Sequence, residues 1–98
     1  MPTHPLAQRA IDVVCKIWGT TSEDITGPGR DQWRSEARFV VISLLVSARL
    51  SMTEASRMVG RKHHGSHQMA SMKALMESNA EYRRRVLLAR ANFNTQSQ

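Results

Sequence analysis

The sequence predicts an all-α fold, a compact six-helix domain, and three observations support this prediction. Apolar residues recur at helical spacing along most of the chain, capping residues and glycines divide it into short segments, and no two segments have the alternation of paired strands. With 98 residues, 41% of them hydrophobic, the chain suffices for one small core and excludes a multidomain enzyme. We expect one domain over residues 6–92, with a leader at 1–5 and a flexible tail at 93–98.

Six segments have the capping residues and apolar spacing of helices. They cover residues 6–18, 22–25, 35–50, 52–59, a segment that begins at 65 or 66, and 81–91. The first has its apolar residues three or four positions apart and ends at Gly19. The second follows Thr21, which has an acid three residues later, as in a capping box. The Gly-Pro-Gly run at 27–29 then predicts a loop that carries residues 30–34.

The third segment is predicted to be the central helix, because its apolar residues occupy both helical faces. Its β-branched run at 40–42 also suits a strand, but the chain offers no second strand to pair with it. Ser51 and Glu54 form a capping box for the fourth helix. Asn79 caps the sixth, whose arginine run at 83–85 is interpreted as a solvated face, with a phosphate contact or a partner surface as the alternatives.

The charge balance points to a polyanionic partner. Fourteen Lys and Arg stand against eight Asp and Glu, a formal charge of +6, and the sequence pI of about 10.8 lies above the value of roughly 9 that is typical of nucleic-acid-binding domains. All but three of the basic residues are Arg, which forms paired hydrogen bonds with phosphate and guanine, and also with carboxylates.

Cysteine usage and hydropathy predict the compartment. Cys15 is the only cysteine, which excludes an intramolecular disulfide and suits a reducing interior. The longest apolar stretch, residues 39–46, is far shorter than the roughly 20 residues that span a bilayer. We expect a cytoplasmic, nucleoid-associated protein with no membrane partner.

The fourth and fifth predicted helices have the pattern of a helix-turn-helix, in which the second helix enters the major groove of DNA. Side chains that contact base edges must be small or polar at the start of that second helix. The turn and helix start consist of such residues: Arg61, Lys62, His63, His64, Gly65, Ser66, His67 and Gln68. A solvated turn before a polar helix start has the same composition and remains an alternative.

The same segment resembles the C-terminal DNA-binding domain (domain IV) of DnaA, the bacterial replication initiator, which contains a Trp-repressor-like helix-turn-helix. The signature of that family has the form SxxEIGxxFGGRDHTTVxHAxxKI, and residues 51–74 here are SMTEASRMVGRKHHGSHQMASMKA. The identical positions are Ser51, Glu54, Gly60, His64, Ala70 and Lys73. Upstream residues at the family's EDL, basic-loop and AR positions are Glu23, Asp24, Ile25, Arg30, Ala37 and Arg38.

The resemblance implies a role on DNA for each matched position. The residues in major-groove reading positions would be Lys62, His63, His64, Gly65 and Ser66. Lys73 would lie near the backbone, and Arg30, with Arg34 as a loop neighbour, would reach the adjacent minor groove. Arg38 and the amides around Met52 and Thr53 would hold phosphates. An Arg loop also suits the narrow, electronegative minor groove of A/T-rich DNA.

Two departures from the family pattern bear on the target sequence. His63 stands where the family has Asp, and Gly65 replaces the first Thr. A direct base contact is worth roughly 1–3 kcal/mol, so these two changes can redirect the preferred sequence. The chain also has no GxxxxGK[ST] loop for an ATPase. We therefore expect a stand-alone, sequence-specific reader of double-stranded DNA that regulates transcription or replication in a bacterium or its phage.

Two other classes of function are alternatives to DNA binding. An adaptor with the same fold would bind an acidic surface of RNA polymerase or of replication proteins. An enzyme would need a nucleophile and a base, and we identify no such pair and expect no cofactor. His63, His64 and His67 lack the spacing of zinc motifs, so we expect solvated or DNA-facing imidazoles and no metal. A monomer or a weak dimer would be compatible with all of this.

Overall fold

The computed structural model describes residues 5–27, 31–59 and 66–96, and for residues 66–71, 95 and 96 the backbone alone. Six helices lie within these ranges: α1 (Pro5–Trp18), α2 (Ser22–Thr26), α3 (Gln32–Ser47), α4 (Met52–Met58), α5 (Ser66–Ser78) and α6 (Ala80–Gln96). No residue of these ranges lies in a strand. The Cα radius of gyration of 12.1 Å is that of a compact chain of this length. The predicted compact, six-helix, all-α domain is confirmed.

Helix α3 lies at the centre and contacts each of the other five helices. Its buried apolar residues are Ala37, Val40, Val41, Ile42, Leu44 and Leu45. Full burial of a large aliphatic side chain is worth about 1.5–3 kcal/mol, which exceeds the few tenths of a kcal/mol by which β-branched residues disfavour a helix. The β-branched run is therefore helical, and the prediction of a central helix is confirmed.

Both ends of α3 differ from the predicted range. The helix begins at Gln32, so residues 32–34 form its first turn and do not belong to the predicted loop. It ends at Ser47, where the amide of Leu50 donates to the Leu45 carbonyl at 3.1 Å. Arg49 makes this ending possible with a left-handed φ of 76°. Glycine usually occupies that place after a helix, and its absence is why the sequence predicted a longer helix.

The helix caps predicted within the described residues are present. Gly19 follows α1 with a left-handed φ of 69°. The Thr21 side chain accepts a hydrogen bond from the Asp24 amide at 3.3 Å, and Ser51 and Glu54 form a capping box at α4. Asn79 Oδ1 accepts from the Tyr82 amide at 3.0 Å at the start of α6. These short polar side chains satisfy amides that have no partner within their helices.

Helix α6 is longer than predicted and is closely held to the core. Its buried side chains Tyr82, Val86, Ala89 and Phe93 recur three or four residues apart, so they form one inward stripe. Phe93 is only 3% exposed and the helix continues to Gln96, so the boundary that assigned residues 93–96 to a flexible tail is wrong. Burial of the Phe93 ring stabilises the last turn of α6, although the polar residues around it have low helix propensity.

Tyr82 connects α6 to two other helices. Its hydroxyl donates to the Glu36 carbonyl at 3.2 Å, and its ring meets Trp18 edge to face with the centroids 6.2 Å apart. Burial raises the pKa of Tyr82 above its ordinary value, so the phenol stays a neutral donor.

No helix within the described ranges combines the length and the apolar content needed to cross a membrane.

Replacing Phe93 with Ala tests the corrected boundary of the domain. Loss of the buried ring is expected to lower the free energy of unfolding by roughly 3 kcal/mol. The exposed neighbour is the control, since Asn92→Ala is expected to change it by less than about 0.5 kcal/mol. Urea denaturation followed by circular dichroism measures both variants. Equal stability of the Phe93→Ala and Asn92→Ala proteins would show that residue 93 belongs to the flexible tail.

Candidate nucleic-acid interface

The two helices of the predicted helix-turn-helix, α4 and α5, both pack against α3. Helix α4 buries Ala55, and α5 buries Met72 with Leu75 partly covered beside it. The connection between them, residues 60–65, lies outside the described residues. The predicted contacts of Arg61, Lys62, His63, His64 and Gly65 lie there too, so the helix-turn-helix stays a prediction.

In α5, the side-chain description begins at Met72, which is 3% exposed, and Lys73 next to it is exposed. The side chains of Ser66 and Gln68 lie outside the described part of the chain, so their predicted contacts with DNA stay predictions.

The amides named in the phosphate prediction lie at the start of α4. The first hydrogen bond within the helix runs from the Ala55 amide to the Ser51 carbonyl at 2.9 Å, so the amides of Met52 and Thr53 precede it. Thr53 is exposed and Met52 is half-buried. The capping box engages the Glu54 amide, which donates to Ser51 Oγ at 3.1 Å.

Arg38 requires a correction. Its side chain is 3% exposed, and its guanidinium donates to the backbone carbonyls of Ile25 and, at 2.9 Å, Gly27. A further donation reaches the Asp24 carbonyl at 3.4 Å. The predicted phosphate contact of Arg38 is wrong, because this side chain binds the carbonyls at the end of α2 to α3. The sequence alone did not show that this face of α3 would meet α2.

Arg34 is also placed differently from the prediction. It lies in the first turn of α3, where it forms ion pairs with Asp24 at 3.2 Å and Asp31 at 3.3 Å. Its guanidinium stacks on the half-exposed Trp33 ring at 5.1 Å from the centroid. A hydrogen bond from Thr20, followed by that from Arg34, holds the pKa of Asp24 below its usual value. The charge of Arg34 is thus balanced, and the minor-groove prediction depends on Arg30, which lies outside the described residues.

The positive charge is concentrated in one half of the chain. Residues 1–47 contain five Lys and Arg and five Asp and Glu, whereas residues 48–98 contain nine and three. In the second half, Arg57 of α4 and Lys73 of α5 are both exposed. The net charge of +6 therefore belongs entirely to the half that forms α4, α5 and α6.

Arg49 is a candidate contact that the sequence did not single out. It is exposed, lies between α3 and α4, and is the one non-glycine residue with a positive φ in the described ranges. A left-handed backbone costs roughly 1 kcal/mol in a residue with a Cβ. The sequence hints at this backbone only by an absence. No Gly or Asn, which usually take the left-handed position after a helix, lies between the apolar run and Ser51.

Groups suited to catalysis or metal binding are few in the described part of the chain. No three His, Cys, Asp or Glu side chains gather there as metal ligands would, while His63, His64 and the His67 side chain lie outside it. Burial, together with the charges of Asp12 and Asp24, raises the pKa of the Cys15 thiol. Cys15 is therefore a protonated thiol at neutral pH and a poor nucleophile.

Substituting Arg38 with Met separates its structural role from the phosphate role first predicted. The free energy of unfolding is expected to fall by about 2–3 kcal/mol, because buried carbonyls lose their donors. The partly exposed Arg34 serves as the control, since Arg34→Met is expected to cost less than about 1 kcal/mol. Thermal denaturation compares the two. An Arg38→Met protein with unchanged stability and weaker duplex binding would restore the phosphate role.

Comparison of the chain with protein-family models, with curated proteins and with solved structures finds no match. The resemblance to the DnaA domain therefore depends on the motif positions themselves. One of those positions, Arg38, has an internal structural role here.

Proposed function

We propose that this protein is a stand-alone, sequence-specific double-stranded DNA-binding protein that regulates transcription or replication. The observation that carries the proposal is the segregation of charge: the half of the chain with α4 and α5 has nine basic and three acidic residues, whereas the other half is neutral. Arg57 and Lys73 are exposed on the two helices that the sequence assigns to the helix-turn-helix. Exposed cations of this kind supply the sequence-independent part of DNA affinity.

The proposal divides the work between base readout and phosphate contacts. The segment from Lys62 to Ser66 reads base edges in the major groove, since it joins α4 to α5 and opens the second helix. Lys73, Arg57 and the first amides of α4 contact phosphates and so set the position of the protein on the duplex. Arg30 enters the minor groove. Arg34 and Arg38 take no part, because carboxylates and carbonyls engage their guanidinium groups.

Arg49 is added to this surface as a phosphate contact. It stands two residues before the N-cap of α4, between α3 and the first helix of the cationic half. Glycine in its place would relieve the left-handed backbone, yet the chain has a long cationic side chain there. Non-glycine residues in this conformation cluster at functional sites, where the surrounding structure offsets the cost of the strain.

A test of sequence specificity starts from a random pool of duplex fragments, from which the protein is expected to enrich one motif. Lys62→Ala is then expected to weaken binding to many sequences, while His64→Ala and Ser66→Ala relax the preference at single base pairs, by about 1–3 kcal/mol for each lost base contact. Fluorescence anisotropy on enriched and scrambled duplexes measures both effects. Lys16→Ala, on an exposed site of the neutral half, is the control.

Equal and weak binding to every duplex, with no enriched motif, would instead favour an adaptor that binds an acidic protein surface. The salt dependence of the affinity gives the second readout. Each lost phosphate contact is expected to reduce the slope of log K against log salt by about 0.9.

Replacing Arg49 tests the phosphate contact through two opposed effects. Arg49→Gly is expected to raise the free energy of unfolding by about 0.5–1 kcal/mol, yet to weaken duplex binding and lower the salt slope by about 0.9. Arg49→Asn, which removes the charge but tolerates a left-handed backbone, is expected to weaken binding by the same factor. Urea denaturation and anisotropy titrations measure the pair. If the wild-type protein binds duplex DNA and both variants bind it with the same affinity, Arg49 does not belong to the interface.

A further inference from the structure

The outer face of α6 exposes two neighbouring leucines. Leu87 is 52% exposed and Leu88 is 45% exposed, and in the described ranges Trp33 is the only other large apolar residue at the surface. Ala91, also exposed, stands one turn further along from both. We call Leu87, Leu88, Ala91, Arg84 and Arg90 the α6 face.

The leucines are held outward by the rest of the fold. The opposite side of α6 places Tyr82, Val86 and Phe93 in the core, so rotation of the helix to bury Leu87 and Leu88 would expose that stripe. The α6 face is therefore preformed, and a partner that covers it gains apolar burial without rearranging the domain.

The surroundings of the leucines are cationic. From residue 82 to residue 96, α6 contains four arginines and no acid. Arg84 precedes the leucines by one turn. Its guanidinium pairs with Glu81 at 2.7 Å, but 68% of its side chain is exposed, against 27% for the paired Arg34. Arg90 follows Leu87 by three residues and is exposed. An apolar pair with Arg84 one turn before it and Arg90 beside Leu87 complements an apolar stripe bordered by carboxylates.

From these observations we infer that the α6 face docks an acidic amphipathic helix of another protein. Its leucines would receive the apolar stripe of that helix, while Arg84 and Arg90 pair with flanking Glu or Asp side chains. This goes beyond the proposed function, because it gives the molecule a protein partner on an element that DNA readout does not use.

The same chemistry disfavours the other occupants. A second copy of the chain would bring two sets of arginines together, against the net charge of +6 on each copy. DNA offers phosphates to the arginines but no apolar group to the leucine pair along its backbone. A bilayer suits an amphipathic helix with a broad apolar face, whereas the inward stripe of α6 is already buried in the core.

The test uses the full chain and a synthetic helical peptide of about twenty residues, with leucines along one stripe and glutamates beside them. Anisotropy of the labelled peptide is expected to report saturable binding, and a peptide with lysines in place of the glutamates is expected not to bind. The double variant Leu87→Ser, Leu88→Ser is expected to weaken binding by about tenfold or more. Its duplex binding is expected to equal that of the wild type, and circular dichroism checks its fold.

Two charge variants then separate the α6 face from net charge. Arg90→Glu is expected to weaken peptide binding, whereas Arg57→Glu, with the same change in net charge on α4, is expected to leave it unchanged. Absence of peptide binding, equal affinity for both peptides, or equal loss in both charge variants would overturn the proposal. Two further results would overturn it. One is a dimer in sedimentation equilibrium that the double leucine variant abolishes, and the other is binding to anionic phosphatidylserine vesicles that the same variant abolishes.

Discussion

The burial of α3 is the constraint on which the remaining structure depends. Every other helix contacts α3, and its apolar residues extend around more than one face. The small helices α2 and α4 gain stability from this contact, because isolated helices shorter than about 12 residues are marginal in water. The placement of α4 and α5, and with it the proposed DNA surface, follows from which face of α3 each helix covers. A buried arginine adds to this arrangement, since Arg38 joins α3 to the carbonyls at the end of α2.

The basic residues of the two halves of the chain differ in what their side chains contact. In the neutral half, Arg34 and Arg38 are engaged by carboxylates and carbonyls, so they serve the fold. In the cationic half, Arg57 and Lys73 are exposed on the helices proposed to meet DNA, while α6 combines arginines with exposed leucines. The proposed DNA surface and the α6 face thus draw on the same excess of charge but differ in apolar content. That difference in chemistry is why two different partners are proposed.

Much of the fold could be predicted from local signals. The caps at Thr21, Ser51 and Asn79 follow from side chains that satisfy nearby amides, and these hydrogen bonds need no tertiary context. The central position of α3 followed from apolar residues on both its faces, because such a helix is stable only when neighbours cover it. The ends of α3 and α6 were predicted less well. Arg49 ends α3 without glycine, and Phe93 extends α6 through polar residues.

What the sequence by itself determined is the all-α class, the number and order of the helices in the described ranges, and the excess of positive charge in residues 48–98. Tertiary structure alone decided which basic residues are available to a partner. Arg38 matched a motif position yet is buried, and Arg49 matched none yet is exposed. The reason is that capping and periodicity act over a few neighbouring residues, whereas the exposure of a charged side chain depends on helices distant in the chain that pack against it.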